Sequence, residues 1–132
     1  MELKVPTKVS IRMTERKGWG VFATEKIFQY EIIEECHLIP LPIKVGQPSN
    51  LLVDYRFNWP HSGECLEQVI VFGYGCIYNH SNEPNASWRD HPNYKAFQFV
   101  ALRDIEPGEE ICTFYGGSEY WEDGGRDYVE LV

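Results

Sequence analysis

Apolar runs long enough to cross a bilayer, about eighteen residues, are missing from this sequence, as is a basic opening segment leading into an apolar stretch. No membrane span or secretory leader is therefore expected. The chain reads as soluble and intracellular, with nothing to separate nucleus from cytoplasm. Positive charge is also scarce: 12 Lys and Arg stand against 20 Asp and Glu, a net charge of −8, and the basic residues form no stripe. Phosphate-backbone contacts need clustered Lys and Arg, so nucleic acid is not expected as a direct partner, whereas a basic peptide is drawn to such a surface.

Paired cysteines are missing as well. Cys36, Cys65, Cys76 and Cys112 stand singly, with no C-x-x-C spacing to suggest zinc or redox chemistry. They are expected as reduced thiols, mostly in the core, and no metal is expected. Cys36 and His37 are adjacent, but neighbours on a strand point to opposite faces. Helical periodicity is nearly absent, and there is no repeat or low-complexity tract. Short apolar runs broken by Gly and Pro remain, and they point to a mainly β fold of several small sheets. With 43% hydrophobic residues in 132, the chain can build one core, and a single domain over 1–132 is expected.

The runs fall in a readable order. Val9, Ile11 and Met13 alternate with polar residues, which predicts a half-buried strand within Val5 to Met13. The turn Gly18-Trp19-Gly20 then leads into Val21-Phe22-Ala23. It is no dinucleotide fingerprint, because the third glycine and the following helix are missing. Apolar strands are expected at Glu31 to Leu41, within Leu51 to Asn58, at Glu67 to Phe72, at Tyr94 to Leu102 and at Ile111 to Tyr115. The breaker cluster from Pro40 to Asn50, a polar loop after Pro84-Asn85 and a Pro107-Gly108 turn separate them. Gly75 to Tyr78 is expected to make one helical turn.

The most chemically loaded stretch runs from Gly73 to Ala86, GYGCIYNHSNEPNA. Glycines allow close backbone approach, while Asn79 and His80 offer donors and acceptors that can clamp a small polar molecule. On its own residues the stretch fits equally a ligand-binding loop and a hairpin connection closed by Asx turns.

Four signals in order resolve this ambiguity: Gly18-Trp19-Gly20-Val21-Phe22, Tyr55 in Asp54-Tyr55-Arg56-Phe57, Asn79-His80-Ser81 with Pro84-Asn85, and Gly108-Glu109-Glu110-Ile111 ending at Tyr115-Gly116. Together they resemble the SET-domain protein lysine methyltransferases over residues 7 to 121. The compact form, without a pre-SET or zinc-binding post-SET module, is most similar to the virus-encoded SET-only histone methyltransferases. The resemblance implies a SET-domain fold of several short β-sheets, with a C-terminal pseudoknot and few short helices. It further implies S-adenosylmethionine as cofactor and S-adenosylhomocysteine as product. By the same resemblance Tyr115 is the catalytic tyrosine, and Gly18, Trp19, Gly20, Asn79, His80, Tyr115 and Trp121 hold the cofactor. Tyr55, Tyr74, Tyr115 and Tyr120 then line the substrate channel. The implied partner is a lysine-bearing basic protein, a histone tail above all, and a homodimer is compatible with the exposed aromatic tail.

The sequence also departs from the pattern. Asn82 stands where larger members carry a zinc-binding Cys, and the tail has no Cys-x-Cys. Thr113 occupies the aromatic position two before the catalytic tyrosine, with Trp88 a candidate to fill similar space, so the number of methyl groups added is left open.

Methyl transfer to an amine is an in-line displacement in which positioning and charge management supply most of the rate. Deprotonating a lysine of pKa about 10.4 near neutrality costs roughly 4 kcal/mol. A sulfonium about 4 Å away recovers roughly that much at an effective dielectric of 20. A tyrosine hydroxyl can therefore serve in place of a strong base. Three other functions stay open on residues alone: methylation of a non-histone protein, a catalytically silent lysine-peptide binding module, and a Cys-His hydrolase built on Cys76 and His80.

Overall fold

In a computed structural model, described here over residues 2–41 and 55–115, the chain forms nine strands. They are β1 (Val9–Met13), β2 (Trp19–Ala23), β3 (Ile32–Pro40), β4 (Arg56–Trp59), β5 (Glu67–Val71), β6 (Asn79–His80), β7 (Ala86–Asp90), β8 (Ala96–Ala101) and β9 (Glu110–Thr113). No helix occurs among the described residues: the expected helical turn at Gly75 to Tyr78 is a chain of hydrogen-bonded turns, closed by the Ile77 amide on the Tyr74 carbonyl at 2.8 Å.

The strands form two sheets, ordered β1-β2-β9-β6 and β4-β5-β3-β8-β7. All pairings are antiparallel except β6 with β9, which run parallel with Asn79 opposite Cys112 and His80 opposite Thr113. Both sheets contribute to one apolar cluster: Val21, Ala23 and Ile111 from the smaller, Ile33, Cys36, Val69, Phe97 and Phe99 from the larger. Tyr78, between β5 and β6, is buried within it and stacks on Phe99 with ring centroids 4.6 Å apart.

Besides the two-residue β6, which lies in a stretch read as a loop, sequence and structure differ in three further strands. β7 lies where a polar loop is expected. Its residues alternate weakly, but it gains a full ladder with β8, and Trp88 packs edge-on to Phe57 at 5.0 Å. β8, expected from its alternation, is buried along its whole length, and its one polar member, Gln98, is satisfied by Glu35 at 2.8 Å and Arg89 at 2.7 Å. In β3 a register shift between Ile32 and Glu34 turns two successive residues, Ile33 and Glu34, inward. Strict alternation would have sent one of them to solvent.

Candidate active site

Three segments distant in sequence meet beside β9. The first is the turn before β2. There the Thr14 amide donates to the Gly18 carbonyl at 2.7 Å, and Gly18 takes a φ of +75°, which only glycine adopts at no steric cost. Nothing lies within 4 Å of where a Gly18 Cβ would stand, so its backbone faces open space, and the neighbouring Trp19 ring is 59% exposed. Gly20 is the opposite case. A Cβ there would stand 2.6 Å from Glu110 Oε2 and 3.0 Å from Asn79 Nδ2.

Those two side chains tie the turn to the second segment, β6. Asn79 Nδ2 donates to the Trp19 carbonyl at 3.0 Å and to Glu110 Oε2 at 2.7 Å, and the other Glu110 oxygen pairs with Lys17 Nζ at 2.8 Å. Both ends of that ion pair are largely buried, so solvent screens it little. The Asn79 amide thus fastens the glycine turn to β6 and β9. Glu110 and Lys17 carry this junction, and neither is marked in the sequence as more than part of a charged turn.

His80 is 1% exposed, and its ring is committed to the protein. Nδ1 accepts from the Tyr115 amide at 3.0 Å, and Nε2 faces Asn82 Oδ1 at 2.9 Å. An acceptor Nδ1 assigns the proton to Nε2, which then donates to Asn82. The ring therefore braces the third segment, Phe114-Tyr115, with centroid distances of 5.2 Å and 5.3 Å. The Tyr115 hydroxyl closes the loop by donating to the main-chain carbonyl of Tyr78. Asn85 secures β9 from the other side, accepting from the Cys112 amide at 2.9 Å and donating to the Glu110 carbonyl at 2.8 Å.

The glycine-rich approach at Gly73 is organised around a group of the protein itself. Glu34, 1% exposed, receives the Tyr78 hydroxyl on Oε1 at 2.6 Å and the Tyr74 amide on Oε2 at 3.3 Å. Gly73, with φ +71°, passes so close that an added Cβ would lie 2.7 Å from Glu34 Oε2. Burial raises the pKa of this carboxyl above the ordinary range, against the bonds from Tyr78 and Tyr74 that favour its charged form. Burial and the neighbouring Glu34 likewise push the Tyr78 hydroxyl far up.

Of the aromatic residues expected along a channel, Tyr55 is 52% exposed, and its carbonyl accepts from the Cys76 thiol at 3.5 Å. Tyr74 packs against the core, while Tyr120 and Trp121 lie outside the described residues. Thr113 is buried, and Trp88 spends its ring on Phe57, Phe99 and His61.

All four thiols are free, and Cys36 and Cys112 are buried. Cys76 points to the carbonyls of Val71 and Tyr55 rather than to His80, and burial raises its pKa, which is the reverse of an activated nucleophile. Among the described residues no group of three His, Cys, Asp or Glu is placed to hold a metal ion, and no helix is long and apolar enough to cross a membrane.

Comparison with known proteins agrees with this architecture. The SET-domain family model matches residues 18–116. A Schizosaccharomyces pombe histone-lysine N-methyltransferase, H3 lysine-37 specific, is 30% identical over 122 residues, covering 90% of this chain and 80% of the relative. The Xenopus laevis N-lysine methyltransferase KMT5A-A is 28% identical over 120 residues, 82% of this chain but 36% of the relative. A crystal structure of a Plasmodium falciparum protein, provisionally named a histone methyltransferase, superposes with a TM-score of 0.69 at 30% identity, covering 85% of this chain and 96% of that one. The chain belongs to the SET-domain family, among its lysine methyltransferases.

Proposed function

We propose that this chain transfers a methyl group from S-adenosylmethionine to the side-chain amine of a lysine on a protein, with a histone tail as the substrate. The observation that carries the proposal is the Tyr115 hydroxyl held against the Tyr78 carbonyl, at the point where β6, β9 and the glycine turn come together. With its proton given to the Tyr78 carbonyl, the Tyr115 hydroxyl oxygen is left to accept an N–H beside a carbonyl that accepts as well, which suits a neutral amine that needs its lone pair free and its N–H groups fixed. Tyr115 is the catalytic residue in this scheme, and the Tyr78 carbonyl is its companion.

The bound cofactor supplies a methyl group activated by a sulfonium. The residues present suit it: Gly18 offers open backbone, Trp19 an exposed aromatic face, and Asn79 holds the two segments in register. Gly18, Trp19, Gly20, Asn79 and His80 form its cradle. Because the His80 ring is committed to Tyr115 and Asn82, His80 serves the cofactor through its main chain. By the family resemblance Trp121 would cover the ligand, and Tyr55, Tyr74 and Tyr120 would line the lysine channel, where aromatic faces attract an incoming cation by roughly 1 kcal/mol.

A histone tail is favoured by the net charge of −8 and by the names of two relatives, one a histone H3 lysine methyltransferase. The test is incubation with labelled S-adenosylmethionine and a panel of histones and other basic proteins, followed by mass-spectrometric site mapping. Label on a histone lysine is expected. Binding of a lysine-bearing peptide with no S-adenosylmethionine binding in calorimetry would instead mark a silent peptide-binding module.

A further inference from the structure

The mechanism above uses the Tyr78 carbonyl but leaves unexplained what fixes it. Tyr78 is anchored along its whole length. Its ring stacks on Phe99 at 4.6 Å, its hydroxyl donates to Glu34 at 2.6 Å, and its carbonyl accepts from Tyr115. Glu34 anchors the same loop a second time through the Tyr74 amide, and Gly73 lacks the Cβ that would collide with the carboxylate. A buried carboxylate is costly unless it is hydrogen-bonded, and the bonds that meet this cost at Glu34 come from the Tyr78 hydroxyl and the Tyr74 amide.

We propose that Glu34 and the Tyr78 hydroxyl form a positioning dyad for methyl transfer, which sets the Tyr78 carbonyl and, through it, the orientation of the Tyr115 hydroxyl. The dyad rests on the methyltransferase reading and adds to it two side chains, the Glu34 carboxylate and the Tyr78 phenol, that touch neither cofactor nor lysine. Its action is geometric: a hydroxyl swung away from the amine costs rate without weakening binding of either substrate.

The experiment is a double-mutant cycle on the full chain, with kcat, KM and cofactor affinity measured for each member. Glu34→Gln keeps the size of the side chain and an acceptor for Tyr78, but sets an amide where Oε2 receives the Tyr74 N–H. It should lower kcat roughly tenfold while leaving both KM and the cofactor dissociation constant within about twofold. In a Tyr115→Phe background the same change should alter the residual rate less than about twofold, since the hydroxyl that the dyad orients is gone. Should Glu34→Gln fail to fold, Tyr78→Phe takes its place, because the ring stays on Phe99. Equal fold-losses in both backgrounds, or an unchanged kcat, would overturn the dyad while the function stands. A wild-type chain without transferase activity, or a fully active Tyr115→Phe, would overturn the function itself.

Discussion

The Tyr115 amide donates to His80 Nδ1 across 3.0 Å, joining residues 35 positions apart through a ring that is otherwise sealed from solvent. Tyr115, the proposed catalytic residue, is thus held at both ends, its backbone by His80 and its hydroxyl by Tyr78. Tyr115→Phe keeps the first restraint and deletes the second. Folding and cofactor affinity should survive, and the single-turnover rate should fall by roughly 10²-fold or more. Full activity in this variant would remove Tyr115 from the mechanism.

Asn79→Ala and Asn82→Ala should separate two kinds of support. Asn79 links Trp19 and Glu110, so its loss should loosen the glycine turn and weaken cofactor binding by about 1–2 kcal/mol in calorimetry. Asn82 contacts the His80 ring, so its loss should reach kcat through Tyr115 more than it reaches affinity. Equal effects on cofactor affinity would contradict this division.

Gly20→Ala should strain the junction of the glycine turn. The new methyl meets Glu110 Oε2 at 2.6 Å, and that oxygen is not free to retreat, because Asn79 and the Lys17 ion pair hold the carboxylate. A loss of about 1–3 kcal/mol in thermal or denaturant unfolding is expected, together with weaker cofactor binding. Gly18→Ala meets no atom within 4 Å, so its cost should come from the positive φ alone.

The pH dependence of stability should carry the mark of Glu34. Its pKa in the folded chain is raised above the ordinary 4.5, first by burial. Its contribution is therefore fully present below the unfolded value and lost as pH rises through the folded one. Glu34→Gln does not titrate, so the stability of the wild type relative to this variant should decline as pH rises from about 4.5. A difference that stays flat with pH, measured by denaturant unfolding, would show that Glu34 has an unshifted pKa.

Alkylation should leave activity intact. Burial holds the Cys36 thiol far above its usual range and the Cys112 thiol at about 11, and Cys76 is raised as well. Loss of turnover on brief iodoacetamide treatment, with modification mapped to Cys76, would revive the hydrolase alternative.

The sequence makes some of this legible and hides the rest for identifiable reasons. Alternation and breaker residues mark β1, β2, β3, β5, β8 and β9, because those strands have an apolar face to bury. They miss β7, whose stability comes from its ladder with β8 rather than from its own pattern. The motifs name Asn79, His80 and Tyr115, but not the direction of the His80 ring, which depends on a partner 35 residues away. Glu34 is hidden because the irregularity in β3 breaks the period of two that would have revealed an inward carboxylate. Gly73 looked like a place where backbone meets a ligand; it does meet a close neighbour, and that neighbour is Glu34.

The parallel pairing of β6 with β9 sets an order of events for the growing chain. β6 is two residues long, and its ladder runs to a strand that begins at Glu110. Local hairpins such as β1-β2 and β4-β5 can form early, but this pairing waits for a strand that follows every member of the five-stranded sheet in the chain. On the ribosome, the five-stranded sheet can be complete while the junction of β6, β9 and the glycine turn does not yet exist. In a series of nascent chains of increasing length, activity should therefore appear only once the chain extends past β9 and Tyr115, after the strands of the larger sheet have all been made.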